Sequence, residues 1–292
     1  MTTLTYITTC KGRLSHLRQS LPLAHGQPAV DCIVVDYGCP ERSGDWVESN
    51  FPGVTVVRSG PTDGFNASTA RNLGAAAART PWLGFFDADV LLDRSFSVAV
   101  VPKLKPGNFY RSHHVTSQTW GSIICHSDDF KRIGGYDEAF TGWGGEDDDL
   151  IARLKLGGVR PVDFPAALLG EITHSDQLRT RFCDIQDKWV QSEINQLYMR
   201  IKLDLQRLRA IQLDRQERIA LFDEVKRTLL EAPAQAGAGR TFSVTLPSLK
   251  LGTPPVNDIS RLSDVQVEMT YTVTLNGHFQ HGGIAPSANE CI

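Results

Sequence analysis

The chain has 292 residues, of which 41% are hydrophobic and 22% charged, enough to bury a sizeable core and to hold one large domain with an appendage. A formal net charge of −3 gives no global attraction to nucleic acid or an anionic membrane surface. No apolar run reaches the roughly 18 residues of a membrane span, and the six cysteines form no Cys-x-x-Cys pair, which excludes a zinc ribbon and a dense disulfide framework and leaves free thiols expected.

The start, Met1-Thr2-Thr3-Leu4-Thr5-Tyr6, lacks the basic region and long apolar run of a secretory signal, so a cytoplasmic location is expected. Leu4 to Thr9 is a β-prone run. A turn at Cys10-Lys11-Gly12-Arg13 follows, and Leu14, Leu17 and Leu21 then recur at helical spacing up to Pro22. A second strand is expected at Cys32–Val35, ending in Asp36-Tyr37-Gly38-Cys39-Pro40, and a third at Val54–Val57. Phe65 to Arg79 is an Ala-rich helical stretch, and a fourth strand, Trp82 to Phe86, runs into Asp87-Ala88-Asp89. Strands alternating with helices predict an α/β domain built from βαβ units on a mostly parallel sheet, with the ligand site at the carboxyl ends of the strands.

The distinctive polar residues fall at those ends: Lys11 and Arg13 after the first strand, Asp36 after the second, Asp87 and Asp89 after the fourth. Two carboxylates one residue apart in such a turn can offer oxygens to a hard divalent cation and a ribose. His113-His114 lacks the one-face spacing of a metal site and is read as a polar pair.

Further on, Trp143-Gly144-Gly145 is followed by four consecutive acids, Glu146-Asp147-Asp148-Asp149. Like charges repel, so the run is expected to raise the pKa of at least one carboxyl. Leu150, Ile151 and Leu154 follow at helical spacing, which places the acids on a helix's first turn, where carboxylates favour the dipole. A solvated helix N-terminus is the plainer reading of such a run.

From Arg181 to about Glu231, Ile194, Leu197, Ile201, Leu205, Leu208 and Ile211 mark an amphipathic helical segment, read as a helical hairpin packed on the domain or as a dimer surface. Residues 232–239 are an Ala/Gly/Pro linker, and Thr241–Leu251 and Val265–Leu275 are expected strands. The expected division is therefore 1–180 for the main domain, 181–232 for the helical segment and 233–292 for the linker and a β-rich tail, with homo-oligomer contacts through 181–292 as an option.

The Trp-Gly-Gly-Glu-Asp segment resembles the carboxy-terminal signature of the β-1,4-galactosyltransferases and their bacterial family 2 relatives. With it, Phe65-Asn66-Ala67-Ser68-Thr69-Ala70-Arg71-Asn72-Leu73-Gly74 resembles the galactosyltransferase Phe-Asn-Arg-Ala-x-x-x-Asn-x-Gly helix and the family 2 Ala-Arg-Asn-x-Gly, so that the resemblance to the glycosyltransferase A fold covers roughly residues 4–180. It implies a Rossmann-like nucleotide-sugar transferase that moves a hexose from a UDP-linked donor to a hydroxyl of a glycan or other acceptor. It implies Asp147 as the base that deprotonates the acceptor, with Trp143, Glu146 and Asp148 shaping the acceptor pocket. Thr9, Lys11 and Arg13 stand in the nucleotide loop, Asp36 matches the family 2 acid that reads uracil, and Asn66, Arg71, Asn72 and Asp87 complete the implied donor site. The family's Arg is Ala67 here, with Arg71 one turn further on to supply a charge. His174 falls where a histidine completes the metal site, giving Asp87, Asp89 and His174 as implied ligands, and imidazole beside carboxylate suits Mn²⁺ better than Mg²⁺. The Glu-Asp-Asp run implies inversion, since the retaining N-acetylgalactosaminyltransferases carry Asn after the Glu. Alternatives are a non-catalytic nucleotide-sugar or carbohydrate-binding module on the same fold, or a retaining enzyme of the latter kind.

Overall fold

The computed structural model describes residues 2–112, 116, 119–209, 212–231, 240–245 and 270–275. Contacts group the chain into two units, Met1–Arg200 and Ile201–Ile292. In the first, β1 (Leu4–Cys10), α1 (Leu14–Ala24), β2 (Val30–Asp36), α2 (Ser43–Asn50), β3 (Thr55–Arg58), α3 (Ala67–Ala77) and β4 (Trp82–Phe85) alternate as the apolar periodicity requires. Next come β5 (Val90–Leu92), α4 (Phe96–Val100), β6 (Asn108–Ser112), β7 (Ile123–His126), α5 (Ser127–Arg132) and α6 (Glu146–Leu156). The chain continues through β8 (Arg160–Phe164), β9 (Leu169–Glu171), α7 (Asp176–Thr180) and α8 (Lys188–Arg209), the last of which crosses the boundary between units.

The seven-stranded sheet has the order β3-β2-β1-β4-β7-β6-β8. Its β3-β2-β1-β4 half is parallel, with β1 registered Leu4↔Val30 through Cys10↔Asp36 on β2. The antiparallel β7 joins it to the parallel pair β6 and β8. Both faces are covered, which is why β1 and β2 are buried along most of their length, β1 even at Thr5 and Thr8. Tyr6, Val34, Leu17 and Phe86 pack on one face, and Ile7, Val35, Phe85 and Leu150 on the other.

Helix α1 runs past the expected stop at Pro22 to Ala24. Pro22 forfeits only the bond to the carbonyl of exposed Arg18, while buried Leu21 and Ala24 hold the last turn in the core. Cys10, Cys32, Cys39, Cys125 and Cys183 are free thiols as expected; Cys291 and the His113-His114 pair lie outside the described residues.

In the second unit α9 (Arg215–Glu231) buries Leu221, Phe222 and Val225 and starts with a reciprocal cap, Asp214 N to Glu217 Oε2 at 2.8 Å and Glu217 N to Asp214 Oδ1 at 2.9 Å. Strands β10 (Arg240–Thr245) and β11 (Thr270–Leu275) pair antiparallel. The linker 232–239 and the remaining expected strand residues, 246–251 and 265–269, fall outside the described residues. No helix among the described residues is long and apolar enough to cross a membrane.

Candidate active site

The acid run does sit on a helix's first turn, at the start of α6, with all four carboxyls there. Asp149 is spent at once: it is fully buried and pairs with Arg153 one turn on at 2.7 Å. Glu146 and Asp147 turn toward α3, whose Arg71 is buried. The guanidinium donates to Glu146 Oε1 at 3.0 Å, Asp147 Oδ1 at 3.1 Å and Asp87 Oδ1 at 2.9 Å. Tyr136 adds its hydroxyl to Asp147 Oδ1 at 3.3 Å and lays its ring under Arg71, 5.1 Å from centroid to guanidinium. One cation thus serves three carboxylates. Burial, more than the neighbouring Glu146 and Asp87 charges, pushes Asp147 up to about 8 against the pull of Arg71, and burial raises Glu146 as well. The expectation of a raised carboxyl holds, but its main cause is desolvation rather than repulsion within the run. Burial is the largest single influence on Arg71 and opposes its charge, but Asp147, Asp87, Tyr136 and Glu146 together hold it well above its ordinary value.

Helix α8 grips the loop before these acids. Gly145 has φ of 89°, and a Cβ there would lie 2.9 Å from Asn195 Cβ, so only glycine lets the chain turn into α6 against α8. Asn195 donates to the carbonyls of Thr141 at 3.1 Å and Gly144 at 2.6 Å, Gln191 accepts from the Trp143 N–H, and Tyr198 donates to Asp137 at 2.7 Å. Trp143 is half-buried between cations, 5.0 Å from Lys188 Nζ and 5.9 Å from the Arg179 guanidinium. Asp148 accepts from Gln196 Nε2 and Trp120 Nε1, each at 2.9 Å. Tyr136, Trp120, Gln191, Asn195 and Gln196 were missed in the sequence. Gln191, Asn195 and Tyr198 stand on one helix face at three-to-four spacing, a polar stripe inside an amphipathic segment that the apolar pattern alone hides.

The strand-end residues divide. Asp89 Oδ2 lies 2.6 Å from His174 Nε2, so the expected pair forms across the residues between them. His174 Nδ1 lies 3.1 Å from the Ser175 carbonyl, so one ring nitrogen faces backbone and the other faces Asp89. Asp89 Oδ1 is buried without a hydrogen-bond partner. The cation beside this pair is Arg13, whose Nη1 lies 2.8 Å from His174 Nε2 and 3.4 Å from Asp89 Oδ2; burial pulls its pKa down, against Asp89 and Asp87. Asp87 is turned away to Arg71, and among the described residues no three His, Cys, Asp or Glu side chains are grouped to hold a metal ion.

Lys11 is buried and gives its ammonium protons to the carbonyls of Tyr37 at 3.3 Å, Gly38 at 3.2 Å and Thr62. Both Asp36 oxygens accept backbone N–H groups, from Cys39 and Gly44, at 2.7 Å. Thr9 is half-buried near the end of β1, opposite Val35. Asn66 caps α3 by accepting from Thr69 N at 2.8 Å and donates to the carbonyls of Glu138 at 3.1 Å and Phe140 at 2.9 Å. Asn72 exchanges bonds with the Tyr136 backbone, both at 2.9 Å, and donates to Glu138 Oε1 at 3.0 Å. The two asparagines therefore fasten the 136–140 loop that leads into Trp143.

A mostly parallel nucleotide-type sheet with an acidic cluster at its strand ends defines the class: the glycosyltransferase A fold. Residues 6–118 match the family described as glycosyl transferase family 2, and residues 106–177 match the one described as N-terminal domain of galactosyltransferase. The chain thus carries a glycosyltransferase domain, family 2-like in its first part and galactosyltransferase-like in its second. It is similar to the pre-mycofactocin glycosyltransferase of Mycobacterium tuberculosis, 29% identical over 213 residues that make up 60% of this chain and 43% of that protein. The chain thus spans less than half the length of this curated relative. Among solved structures it is similar to the mannosyltransferase PcManGT of Pyrobaculum calidifontis in complex with GDP-Man and Mn²⁺ (TM-score 0.52, 14% identity, 78% of this chain and 70% of that one). It is equally similar to S. aureus TarS 1–349 in complex with UDP-GlcNAc (TM-score 0.52, 11% identity, 76% of this chain and 72% of that one). At such identities these structures establish the fold.

Proposed function

We propose that the chain transfers a hexose from a UDP-linked sugar to an acceptor hydroxyl with inversion, aided by a divalent metal. The observation that carries this is Asp147: a mostly buried carboxyl raised to about 8, with Oδ1 held by Arg71 and Tyr136 and Oδ2 close to Gly121. A base tuned near the working pH is what deprotonation of an alcohol during attack requires. Asp147 takes the acceptor proton as the acceptor oxygen bonds to the anomeric carbon, and the bond from that carbon to the diphosphate breaks on the opposite side. Glu146 and Arg71 keep Asp147 in place, and Trp143 and Asp148 line the acceptor side.

The nucleotide-sugar complexes of the two fold neighbours support a nucleotide-diphosphate donor. The donor set at Asp89 and His174 fits a cation: a carboxylate with one buried, unpartnered oxygen stands beside an imidazole, and Arg13 already supplies positive charge there. A metal bound by these two, with Asp87 released from Arg71, would supply positive charge to the departing diphosphate. Lys11 and Asp36 act on the donor site through the backbone they hold, and Asn66 and Asn72 act on the acceptor side through the 136–140 loop. The donor machinery lies within 1–180, and the first helix of the extension serves the acceptor side.

The test is turnover of UDP-glucose, UDP-galactose and their N-acetylated forms by the full chain, with Mn²⁺, with Mg²⁺ and with EDTA. Metal-dependent hydrolysis or transfer is expected. UDP-sugar binding without turnover under every condition would replace the enzyme by a binding module, and full activity in EDTA would remove the metal.

A further inference from the structure

Two thiols meet where the turns after β1 and β2 come together. Cys10 is the last residue of β1, set opposite Asp36 of β2, and Tyr37 N donates to the Cys10 carbonyl at 3.1 Å. Cys39, two residues further on, hydrogen-bonds the Cys10 thiol. Its Sγ also accepts the Gly12 N–H at 3.2 Å, and its own N–H goes to Asp36 Oδ1 at 2.7 Å. A buried thiol is ordinarily a small apolar filler, as Cys32 and Cys125 are here, where burial raises both. Cys39 departs from that pattern. The Cys10 thiol first, then the Gly12 and Glu41 N–H groups, hold it well below the usual thiol range against burial, while the same thiol contact and burial hold Cys10 well above it. Cys39 is 7% exposed and Cys10 not at all, so the thiol that ionises is also the one with surface to meet a small reagent.

The sulfur is at the same time a structural acceptor. Gly12 is wedged, with its N–H on Cys39 Sγ and so little room above its Cα that a Cβ would lie 2.6 Å from the Phe182 ring. On either side of it stand Lys11, which holds the carbonyls of Tyr37 and Gly38, and Arg13, 2.8 Å from His174 Nε2. Bonding Cys39 to Cys10 would turn a charged acceptor into a neutral disulfide sulfur, a poor one. The Gly12 N–H then loses its partner, and the 10–13 turn loses a tie to the loop after β2.

We propose that Cys39 and Cys10 form a hydroperoxide-reactive dithiol, a modification site whose disulfide weakens binding of the nucleotide-sugar donor. The Cys39 thiolate attacks one oxygen of hydrogen peroxide; the O–O bond breaks, leaving Cys39 as the sulfenic acid and releasing hydroxide. The Cys10 sulfur then attacks the Cys39 sulfur, and the S–O bond breaks as the S–S bond forms. The Cys10 proton leaves with the departing oxygen as water. In sum two thiols give up two electrons, one peroxide becomes two waters, and a dithiol reductant reverses the change. The effect on the donor rests on the glycosyltransferase reading above; the thiol chemistry does not.

The experiment treats the reduced full chain with equimolar hydrogen peroxide, alkylates the remaining thiols and maps them by peptide mass. UDP affinity is measured by calorimetry before oxidation, after it, and after dithiothreitol. A linked Cys10–Cys39 peptide is expected, with a UDP dissociation constant raised about ten-fold and restored by reduction. Cys10→Ala should stop at a Cys39 sulfenic acid that dimedone traps, and Cys39→Ser should leave Cys10 unoxidised. The wild-type map decides the pairing even where a variant does not fold. Cys183 is the more exposed thiol, so oxidation there with Cys39 intact overturns the dithiol. A linked peptide with UDP affinity within about two-fold of the reduced protein overturns the effect on the donor. Reduced wild type that binds no UDP overturns the glycosyltransferase reading instead, and the mass map still reports on the thiols.

Discussion

The polar residues after β1 and β2 and those around Arg71 stand at the same end of one sheet, yet they are spent in opposite ways. Lys11 and Asp36 bond only to backbone groups: three carbonyls take the ammonium, and two N–H groups take the carboxylate. Such residues are satisfied, and they fix loops. Glu146, Asp147 and Asp87 bond to one shared guanidinium, so their charges are not balanced in number. Burial then acts on the surplus, and Asp147 rises to about 8. A polar side chain saturated by backbone shapes a site, whereas one left among other charges keeps a proton to exchange.

The strongest way to break this contrast is Asp147→Asn. Transfer should fall by about 10² to 10⁴-fold with UDP affinity unchanged, because the amide fills the space but takes no proton. Near-wild-type kcat in that variant, with loss in Glu146→Gln instead, would move the base by one residue. Arg71→Met comes next. Removing the cation that Glu146 and Asp147 share, both mostly buried while Asp87 is partly exposed, should cost about 3–5 kcal/mol in urea unfolding, recovered in part on acidification as the carboxyls protonate. Unchanged stability would mean that Arg71 is not what the acids depend on.

The βαβ rhythm, the strand-end acids and the acids on the first turn of α6 were legible because each rests on local periodicity or on a short motif. The approach of Asp89 to His174 came from motif order alone, since no local rule brings residues so distant in sequence together. What stayed hidden was nonlocal. β6, β7 and β8 are short, and β8 is exposed along most of its length, so its sequence carries no apolar run. Asn66 and Asn72 lie in a motif implied to bind the donor, but their partners are backbone atoms of 136–140 that only folding brings near. Gln191 and Asn195 sit in a helix whose leucines and isoleucines dominate its pattern. Trp120 is a lone aromatic whose partners, Arg111 and Asp148, come to it only when β6 and α6 assemble.

The pH profile measures the hub's imbalance more finely. Asp147 works as a base when ionised, so with its carboxyl raised to about 8, kcat/KM of the free enzyme should climb about ten-fold per unit from pH 6 and level off above pH 8. Stability runs the other way. A carboxyl raised above its unfolded value of 3.8 favours the fold when protonated, and that contribution fades as pH rises through about 8. Asp147→Asn should therefore flatten both slopes and raise the melting temperature at pH 8. A rate plateau starting near pH 5 would show that Arg71 wins over burial.

The smallest expected effect separates shaping from binding most directly. Asn66 accepts from Thr69 N at 2.8 Å through Oδ1 and gives its two amide protons to the carbonyls of Glu138 and Phe140. Loss of a helix cap costs about 1 kcal/mol. Asn66→Asp keeps the acceptor for Thr69 but removes both donors and sets a negative charge against two carbonyl oxygens. Asn66→Ala removes everything at once. If Asn66 belongs with Lys11 and Asp36, Asn66→Ala should lower stability by about the cap's worth and leave the UDP dissociation constant within about two-fold, while acceptor KM rises as the 136–140 loop loosens ahead of Trp143. Asn66→Asp should then show the loop defect with α3 still capped, the same rise in KM at a smaller cost in melting temperature. A drop in UDP affinity at unchanged stability in Asn66→Ala would place this side chain on the donor instead, and the division between backbone-held and charge-held residues would no longer run along function.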